Sequence, residues 1–337
     1  MTDMQRITLA RRPKGDPVPE DFSLKTGPVP EPGDGEIVIE VSHLSLDPYM
    51  RGRMDDVKSY APSVGLGETM TGQGVGRVIA SKAEGFAVGD LATGMTGWAS
   101  HAIVKATEAR VLPAEIPSSL FLGALGMPGF TAWTGLRKFG RPKAGETLVV
   151  AAATGPVGAM VGQLAKAAGL RTIAIAGGPE KCRIATETFG FDAALDHRAY
   201  EDASALRTAL AEVAPDGVDI YWENVGGKVL EAVLPLMNVG GRIPVCGMIS
   251  WYGGVEDADD RLPMLWRSVL VKRLHVSGFI IFDHWDEYPE FLAEVPTKVL
   301  SGEIKHLEDV AQGLHAMPTA FIAMLKGGNT GKQIVAL

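Results

Sequence analysis

The sequence predicts an α/β protein in which a doubly wound parallel sheet is joined to a β-rich part. Three observations carry that prediction. From about residue 145 onward, short β-branched apolar runs alternate with helical periodicities, the signature of βαβ units. Before that point, alternating segments are punctuated by glycine and proline, as in a curled barrel whose glycines mark its bends. The length, 337 residues, allows each part a core of its own.

Residues 1–35 mix short strands with proline turns such as Gly27-Pro28-Val29-Pro30. Residues 36–42 alternate as a half-buried strand, and Leu46-Asp47-Pro48-Tyr49-Met50-Arg51 reads as a turn leaving it. Strands are expected over 74–80, 90–93 and 98–104, then helical stretches near 119–125 and 129–139. The sheet strands are expected over 148–151, 171–176, 193–195, 218–222, 241–248 and 274–281, about the number such folds carry. The tail has a helical pattern in Val310, Leu314, Met317, Phe321, Met324 and Leu325. It ends in a strand over 333–336 that rejoins the β-rich part. No internal repeat and no low-complexity segment interrupts this order.

The chain is organised around Ala152-Ala153-Thr154-Gly155-Pro156-Val157-Gly158. It follows a buried-strand run, 147–151, and opens a helix whose apolar residues Val157, Met160, Val161, Leu164, Ala165 and Ala168 fall on one face. Pro156 suits the first helical turn and Gly169 the C-terminal cap. Strand, glycine turn and helix together make a dinucleotide fingerprint, of the form A-x-x-G-x-x-G because Ala152 stands at the first position. On this reading Gly155 allows the tight turn, Gly158 lets the helix pack close to the strand, and the helix N-terminus faces a pyrophosphate. Without the flanking strand and helix, a structural helix–strand contact would be an equally good reading of the same glycines.

An NAD site carries an acidic residue near the end of the next strand. Here the strand is followed by Gly177-Gly178-Pro179-Glu180-Lys181, so its end is uncharged and Lys181 is in reach of a 2′-phosphate. Glu180 lies in the first turn of the next helix and is expected to point away. NADP(H) is the cofactor this pattern favours.

The formal net charge is −8, which argues against nucleic acid as partner. The two cysteines, Cys182 and Cys246, supply neither a disulfide framework nor a four-cysteine zinc site. Cys246 reads as a core thiol, and Cys182 as helix packing or a reactive group. Residues 1–13 lack the apolar stretch of a signal peptide, and no run reaches membrane-spanning length without Gly, Pro or charge. A cytoplasmic enzyme with no membrane partner is the expectation.

With these residues assembled, the chain resembles the medium-chain dehydrogenase/reductase superfamily, and within it the zinc-independent prostaglandin reductase and curcumin reductase-like branch. The likeness rests on 44–51, 152–158, Glu223-Asn224-Val225-Gly226-Gly227, Cys246-Gly247-Met248-Ile249-Ser250 and 325–332, in the family's order over nearly the whole chain. It implies a GroES-like β-rich catalytic domain over 1–125, completed by 304–337, and a Rossmann NADP-binding domain over 126–303. It places the active site in the cleft between them. By resemblance Gly155, Pro156, Val157 and Lys181 contact the cofactor phosphates, with Gly158 completing the turn. His197 and Arg198 stand where the family has a Tyr-Lys pair near the 2′-phosphate, a departure that retains positive charge and loses the phenol. Asn224 and Asn329 match residues that hold the cofactor; turn-capping asparagines are the alternative. A homodimer is the family's expectation.

Zinc-dependent members supply a cysteine after an early strand and a later histidine. This chain has Leu46-Asp47-Pro48-Tyr49 and Thr71-Gly72-Gln73-Gly74 there, and its seven histidines show no ligand spacing, so no metal is expected. Without a Lewis acid the expected reaction is conjugate reduction of an apolar α,β-unsaturated ketone or aldehyde. Hydride goes to the β-carbon, and an enolate develops on oxygen. Tyr252, in Ile249-Ser250-Trp251-Tyr252, matches the family's active-site tyrosine, and Tyr49 is the second candidate donor. For each, the alternative is an aromatic pocket wall. Met127, Phe130, Trp251 and Met264 would line a pocket for an apolar enone, or are simply core. Two rivals stand beside this reading: a quinone reductase with the same cofactor, and a non-catalytic NADPH-binding sensor.

Overall fold

The computed structural model describes residues 3–254 and 262–337. They form two compact units. One comprises the chain up to Gly126 together with Glu308–Leu337, and the other comprises Met127–Leu307. Residues 304–307 go with the second unit, where Lys305 exchanges two hydrogen bonds with the Gln163 side chain, at 2.7 and 2.9 Å. No helix among the described residues is long and apolar enough to cross a membrane.

The first unit opens with the antiparallel pair β1 (Met4–Leu9) and β2 (Phe22–Gly27). Next come β3 (Glu36–Ser45), the short helix α1 (Tyr49–Arg53), β4 (Gly74–Ser81), β5 (Leu91–Gly94), β6 (His101–Lys105) and β7 (Arg110–Val111). The segment expected as a plain turn is thus a helical turn. Pro48 is already in the helical region, and α1 buries Met50, Arg51 and Arg53 on the inner side. The helix expected near 119–125 is a 3-10 helix, Ser118–Leu122.

The second unit runs α2 (Met127–Gly135), β8 (Thr147–Ala151), α3 (Pro156–Ala167), β9 (Arg171–Ala176), α4 (Pro179–Glu187), β10 (Ala193–Asp196) and α5 (Ala203–Val213). It continues with β11 (Val218–Trp222), α6 (Gly227–Val233), β12 (Met237–Val245), α7 (Leu262–Lys272), β13 (His275–Gly278) and α8 (Tyr288–Leu300). All six strands are parallel, in the order β10-β9-β8-β11-β12-β13. This is the Rossmann order, with its switch point between β8 and β11. β8 is buried at every position, as a central strand covered by helices on both faces must be.

In the first unit the strand expected over 98–104 begins only at His101, and in the second unit two strands depart from expectation. β12 begins at Met237 and ends at Val245, because the N–H groups of Cys246 and Gly247 turn to the Glu223 carbonyl. β13 stops at Gly278, and Phe279 leaves the sheet to stack on Phe139, ring centres 4.9 Å apart. Ala168 is exposed and caps α3 rather than extending its buried face. Phe130 is fully buried among Trp133, Tyr288 and Phe291, which makes it core and not a pocket wall.

The chain returns to the first unit through β14 (Glu308–Gln312), α9 (Met317–Leu325) and β15 (Lys332–Ala336). Val310 therefore lies on a strand, opposite Ile334, and the helical pattern begins at Leu314, in a 3-10 turn (Leu314–Ala316) that leads into α9. The seven-stranded sheet has the order β14-β15-β3-β4-β5-β7, with β6 also paired to β3. β15 is inserted between β14 and β3, with Val335 opposite Leu44. Phe321 of α9 meets Trp98 edge-on at 5.4 Å, and Trp98 stacks on Phe22 at 5.4 Å. The tail thus fills the centre of this unit's core.

Candidate functional site

In a doubly wound sheet ligands bind outside the carboxyl ends of the strands. The residues at those ends in the second unit are therefore taken strand by strand. After β8, Ala152 has φ +52°, a left-handed conformation costly for a residue with a Cβ, by roughly 1–2 kcal/mol. Gly155 has φ −72° and ψ 166°, open to any residue, so the strained position of this turn is Ala152 and not Gly155 as expected. Pro156 is the first residue of α3, and Val157 and Gly158 complete its first turn. A methyl placed on Gly158 would lie 2.5 Å from the Ala152 carbonyl oxygen and 2.9 Å from Ala153 Cα. Glycine at 158 is what lets α3 begin this close to the turn.

After β9, Gly178 takes φ +100° and its N–H donates to Asp196 Oδ1 at 2.8 Å. Glu180 is bonded to Arg183 of its own helix, through Arg183 Nη2 to Glu180 Oε1 at 2.6 Å, which turns the acid to that partner. Lys181 is half-buried in the first turn of α4.

After β10, Asp196 Oδ1 also accepts from the Arg198 N–H at 2.9 Å, so one carboxylate ties the β9 turn to the His197–Ala199 turn. Burial works against the charge on Asp196, but these two N–H bonds outweigh it and its pKa is lowered. A methyl on Gly177 would stand 2.9 Å from Arg198 Nε and 3.1 Å from His197 Nε2. Both side chains thus converge on Gly177. The His197 pKa is lowered, first by burial and then by the cations Lys228, Arg198 and Lys181, against the pull of Asp196. Lys228, in α6, has its Nζ 2.7 Å from the Tyr200 carbonyl. Sequence reasoning missed Lys228, because only the crossover from β11 to α6 brings it to the end of β10.

After β11, Asn224 Nδ2 donates to the Ala151 carbonyl at 2.7 Å, and its Oδ1 accepts from Trp222 Nε1 at 3.2 Å. This bond crosses the switch point. Glu223, 3% exposed, accepts from Val225 N–H at 2.6 Å and Gly226 N–H at 2.8 Å and shapes that turn. Burial raises its pKa, while those same N–H bonds pull it down. After β12, the Tyr252 hydroxyl is 3.4 Å from the Met248 N–H, which donates to it, and 3.3 Å from where a Gly247 methyl would be. That same methyl would be 3.4 Å from the Asn224 carbonyl oxygen, so Tyr252 and Asn224 share the Gly247 neighbourhood. The Trp251 ring covers Gly226, at 2.7 Å from a methyl built there. Met264 packs against the core, and Met127 is half-buried at the start of α2. Burial raises the pKa of both thiols, Cys246 to about 12, so neither has the thiolate character of a nucleophile.

In the first unit, Tyr49 opens α1 and its hydroxyl bonds the Thr71 side chain. Burial first, and then the Asp47 charge, raise its pKa far above the ordinary tyrosine value, while the nearby Arg53 charge opposes them. The Arg53 guanidinium lies 5.7 Å from the Tyr49 ring centre and 4.6 Å from that of Tyr60. Asn329 Nδ2 donates to the Gly331 carbonyl at 2.8 Å and so closes its own turn. Lys332, almost fully buried, donates to Asp47 Oδ1 at 2.6 Å and to the Leu46 carbonyl at 2.8 Å. Ser45 also donates to Asp47. This buried pair fixes the segment that carries Asn329 to the segment that carries Tyr49. Sequence spacing gave no sign of it, since the partners are 285 residues apart. Among the described residues, no group of three or more His, Cys, Asp or Glu side chains converges as a metal ion would require.

Comparison with known proteins adds to this geometry. Residues 5–112 match a family model described as the N-terminal domain of oxidoreductase, and residues 156–296 match one described as zinc-binding dehydrogenase. The chain is 48% identical over 335 residues to the NADPH-dependent curcumin reductase of Escherichia coli (strain K12), covering 98% of this chain and 96% of that one. It is 40% identical over 338 residues to the NADP(+)-dependent 2-alkenal reductase of Nicotiana tabacum, covering 98% and 96%. Among solved structures it is similar to CurA from Vibrio vulnificus in complex with NADPH. That likeness has a TM-score of 0.92 at 48% identity over 98% of both chains.

Proposed function

Since the chain belongs to the zinc-independent branch of the medium-chain dehydrogenase/reductase superfamily, we propose that it uses NADPH to reduce the carbon–carbon double bond of α,β-unsaturated ketones and aldehydes. At the coarser level it is an NADP-dependent oxidoreductase built from a Rossmann domain and a GroES-like domain. The observation that carries the finer reading is Tyr252, a phenol held beside Gly247 and Asn224 at the ligand end of the parallel sheet.

The residues present fit the cofactor. The Arg198 guanidinium and the His197 ring converge on Gly177, where a 2′-phosphate would sit, Lys181 acts on that ring, and Glu180 is engaged by Arg183. Gly155, Pro156, Val157 and Gly158 set the N-terminus of α3 toward a pyrophosphate. Asn224 and Asn329, each anchored by its own hydrogen bond, are assigned to holding the cofactor. NADPH, when bound, supplies the hydride.

The protein's part is to receive the charge that develops on the carbonyl oxygen. Tyr252 is assigned as the donor to that oxygen, with Tyr49 as the alternative donor. The raised pKa of Tyr49 keeps its phenol protonated throughout the neutral range, as a donor must be. Preorganised donors of this kind contribute about 3–4 kcal/mol to the transition state. The zinc-ligand positions of metal-dependent relatives fall in segments holding Tyr49 and Gln73, so polarisation is assigned to phenols.

The test is a panel of enals, enones and quinones assayed with NADPH and with NADH. Enals and enones should turn over with NADPH and far more slowly with NADH. Turnover of quinones alone, or tight NADPH binding with no turnover, would replace this reading.

We also propose a homodimer. β13 is one of the two outer strands of its sheet, with Val276 45% exposed, and α7 exposes Trp266 and, at 77%, Leu270. An outer strand beside apolar side chains is a surface that a second copy can cover by edge pairing.

A further inference from the structure

The replacement of a phenol by an imidazole at residue 197 changes what the cofactor pocket can do with protons. We propose that His197 is a proton-linked reader of the 2′-phosphate, taking up one proton as the phosphate binds, so that preference for NADP over NAD weakens as pH rises. The proposal rests on the cofactor reading given above and adds to it a chemical consequence.

The geometry comes first. Nε2 of His197 and Nε of Arg198 both converge on Gly177, within 3.1 and 2.9 Å of a methyl built there. Asp196 holds this arrangement from beneath, through one oxygen bonded to both the Gly178 and the Arg198 N–H groups. The charged groups that act on the imidazole come from three elements. Asp196 and Arg198 are its chain neighbours, Lys181 comes from α4, and Lys228 comes from α6. Cys182 of α4 lies near Asp196 and stays a neutral thiol.

Three cations against one carboxylate make a positive charge on His197 unfavourable while the pocket holds no anion. Half-burial acts in the same direction, and the imidazole is neutral at and above neutral pH. A phosphate dianion reverses the balance, since it cancels the neighbouring cations and offers His197 an oxygen to bond in its protonated form. The incoming proton comes from solvent and ends on the imidazole. Asp196, the one carboxylate among the described groups that act on the imidazole, is held ionised by its two N–H bonds. The phosphate, with a second pKa of ~6, would release a proton into a cationic pocket, the opposite sign. A phenol at this position would remain neutral throughout, so the linkage belongs to this chain's own departure from the family pattern.

The test is isothermal titration of the intact protein with NADP+, which withstands acid, and with NAD+, at about pH 7.5 in buffers of different ionisation enthalpy. Proton uptake on binding NADP+ should approach about one per site, and uptake on binding NAD+ should be close to zero. Across the range between the free and bound pKa values, NADP+ affinity should fall by up to about tenfold per pH unit, while NAD+ affinity stays flat. His197→Gln should abolish the uptake and flatten the profile. Lys228→Met should weaken NADP+ binding and retain the uptake. If NADP+ binds more tightly than NAD+ with no proton uptake, or if His197→Gln takes up protons as wild type does, the proposal is overturned and the cofactor reading stands. If the two cofactors bind equally at every pH, the cofactor reading itself fails.

Discussion

Tyr252 separates a chemical role from a packing role more cleanly than any other side chain of the site. Tyr252→Phe removes one hydroxyl and leaves the ring. If that hydroxyl donates to the developing enolate, the loss falls on kcat, by ~10-fold to ~100-fold, with KM little changed. A pocket wall behaves differently: Tyr252→Phe would be close to wild type and Tyr252→Ala would raise KM. Steady-state kinetics of both variants on one enone distinguish the two, and an unchanged kcat in Tyr252→Phe would leave Tyr49 as the donor. At this scale the sequence was an uneven guide. The run Gly177-Gly178 followed by Lys181 singled out in the sequence the segment now proposed to take the 2′-phosphate, because charge and the absence of charge are written in residue types. Lys228, Thr71 and Glu223 were not legible, because each acquires its place only when a distant element folds against it.

Among the elements, the β8–α3 turn gives a paired prediction that inverts the ordinary reading of its motif. Gly155 has an open conformation, and a methyl there meets nothing closer than the Ala152 oxygen at 3.4 Å. Gly158 faces backbone at 2.5 Å, which cannot move aside as a side chain can. Gly155→Ala should therefore melt within a few degrees of wild type. Gly158→Ala should lose roughly 1–3 kcal/mol of stability, as overpacked sites do, and bind NADP+ more weakly. Urea unfolding and cofactor titration of both variants check this, and equal behaviour of the two would contradict it. The motif names the turn, but not which of its residues carries the left-handed angle; that residue is Ala152. The buried strands were legible because run length and β-branching are local properties. The end of β12 and the strand at Val310 were not. Cys246, Gly247 and Met248 keep an apolar character after the backbone has turned to Glu223, and Val310 owes its conformation to β15.

At the scale of the whole molecule, the outer strand β13 makes the dimer testable. Sedimentation should give a mass near twice that of the chain, and Val276→Lys with Leu270→Glu should shift it toward the monomer. A monomeric wild type at micromolar concentration would remove the proposal. The class of fold and the return of the tail strand to the β-rich part were readable along the chain, whereas the place of that strand between β14 and β3 was not, because strand partners far apart in sequence leave no local trace. That seating sets an order of events. Synthesis runs from the N-terminus, and domains generally fold as units once their residues are available. The first unit begins the chain, yet its sheet has a gap between β14 and β3 that only Lys332–Ala336 can fill. Until those residues leave the ribosome, Asp47 lacks its lysine and the edge of β3 lacks its strand. The domain that is started first is the domain that is finished last, and the Rossmann unit, whose residues end at Leu307, has all of its strands beforehand.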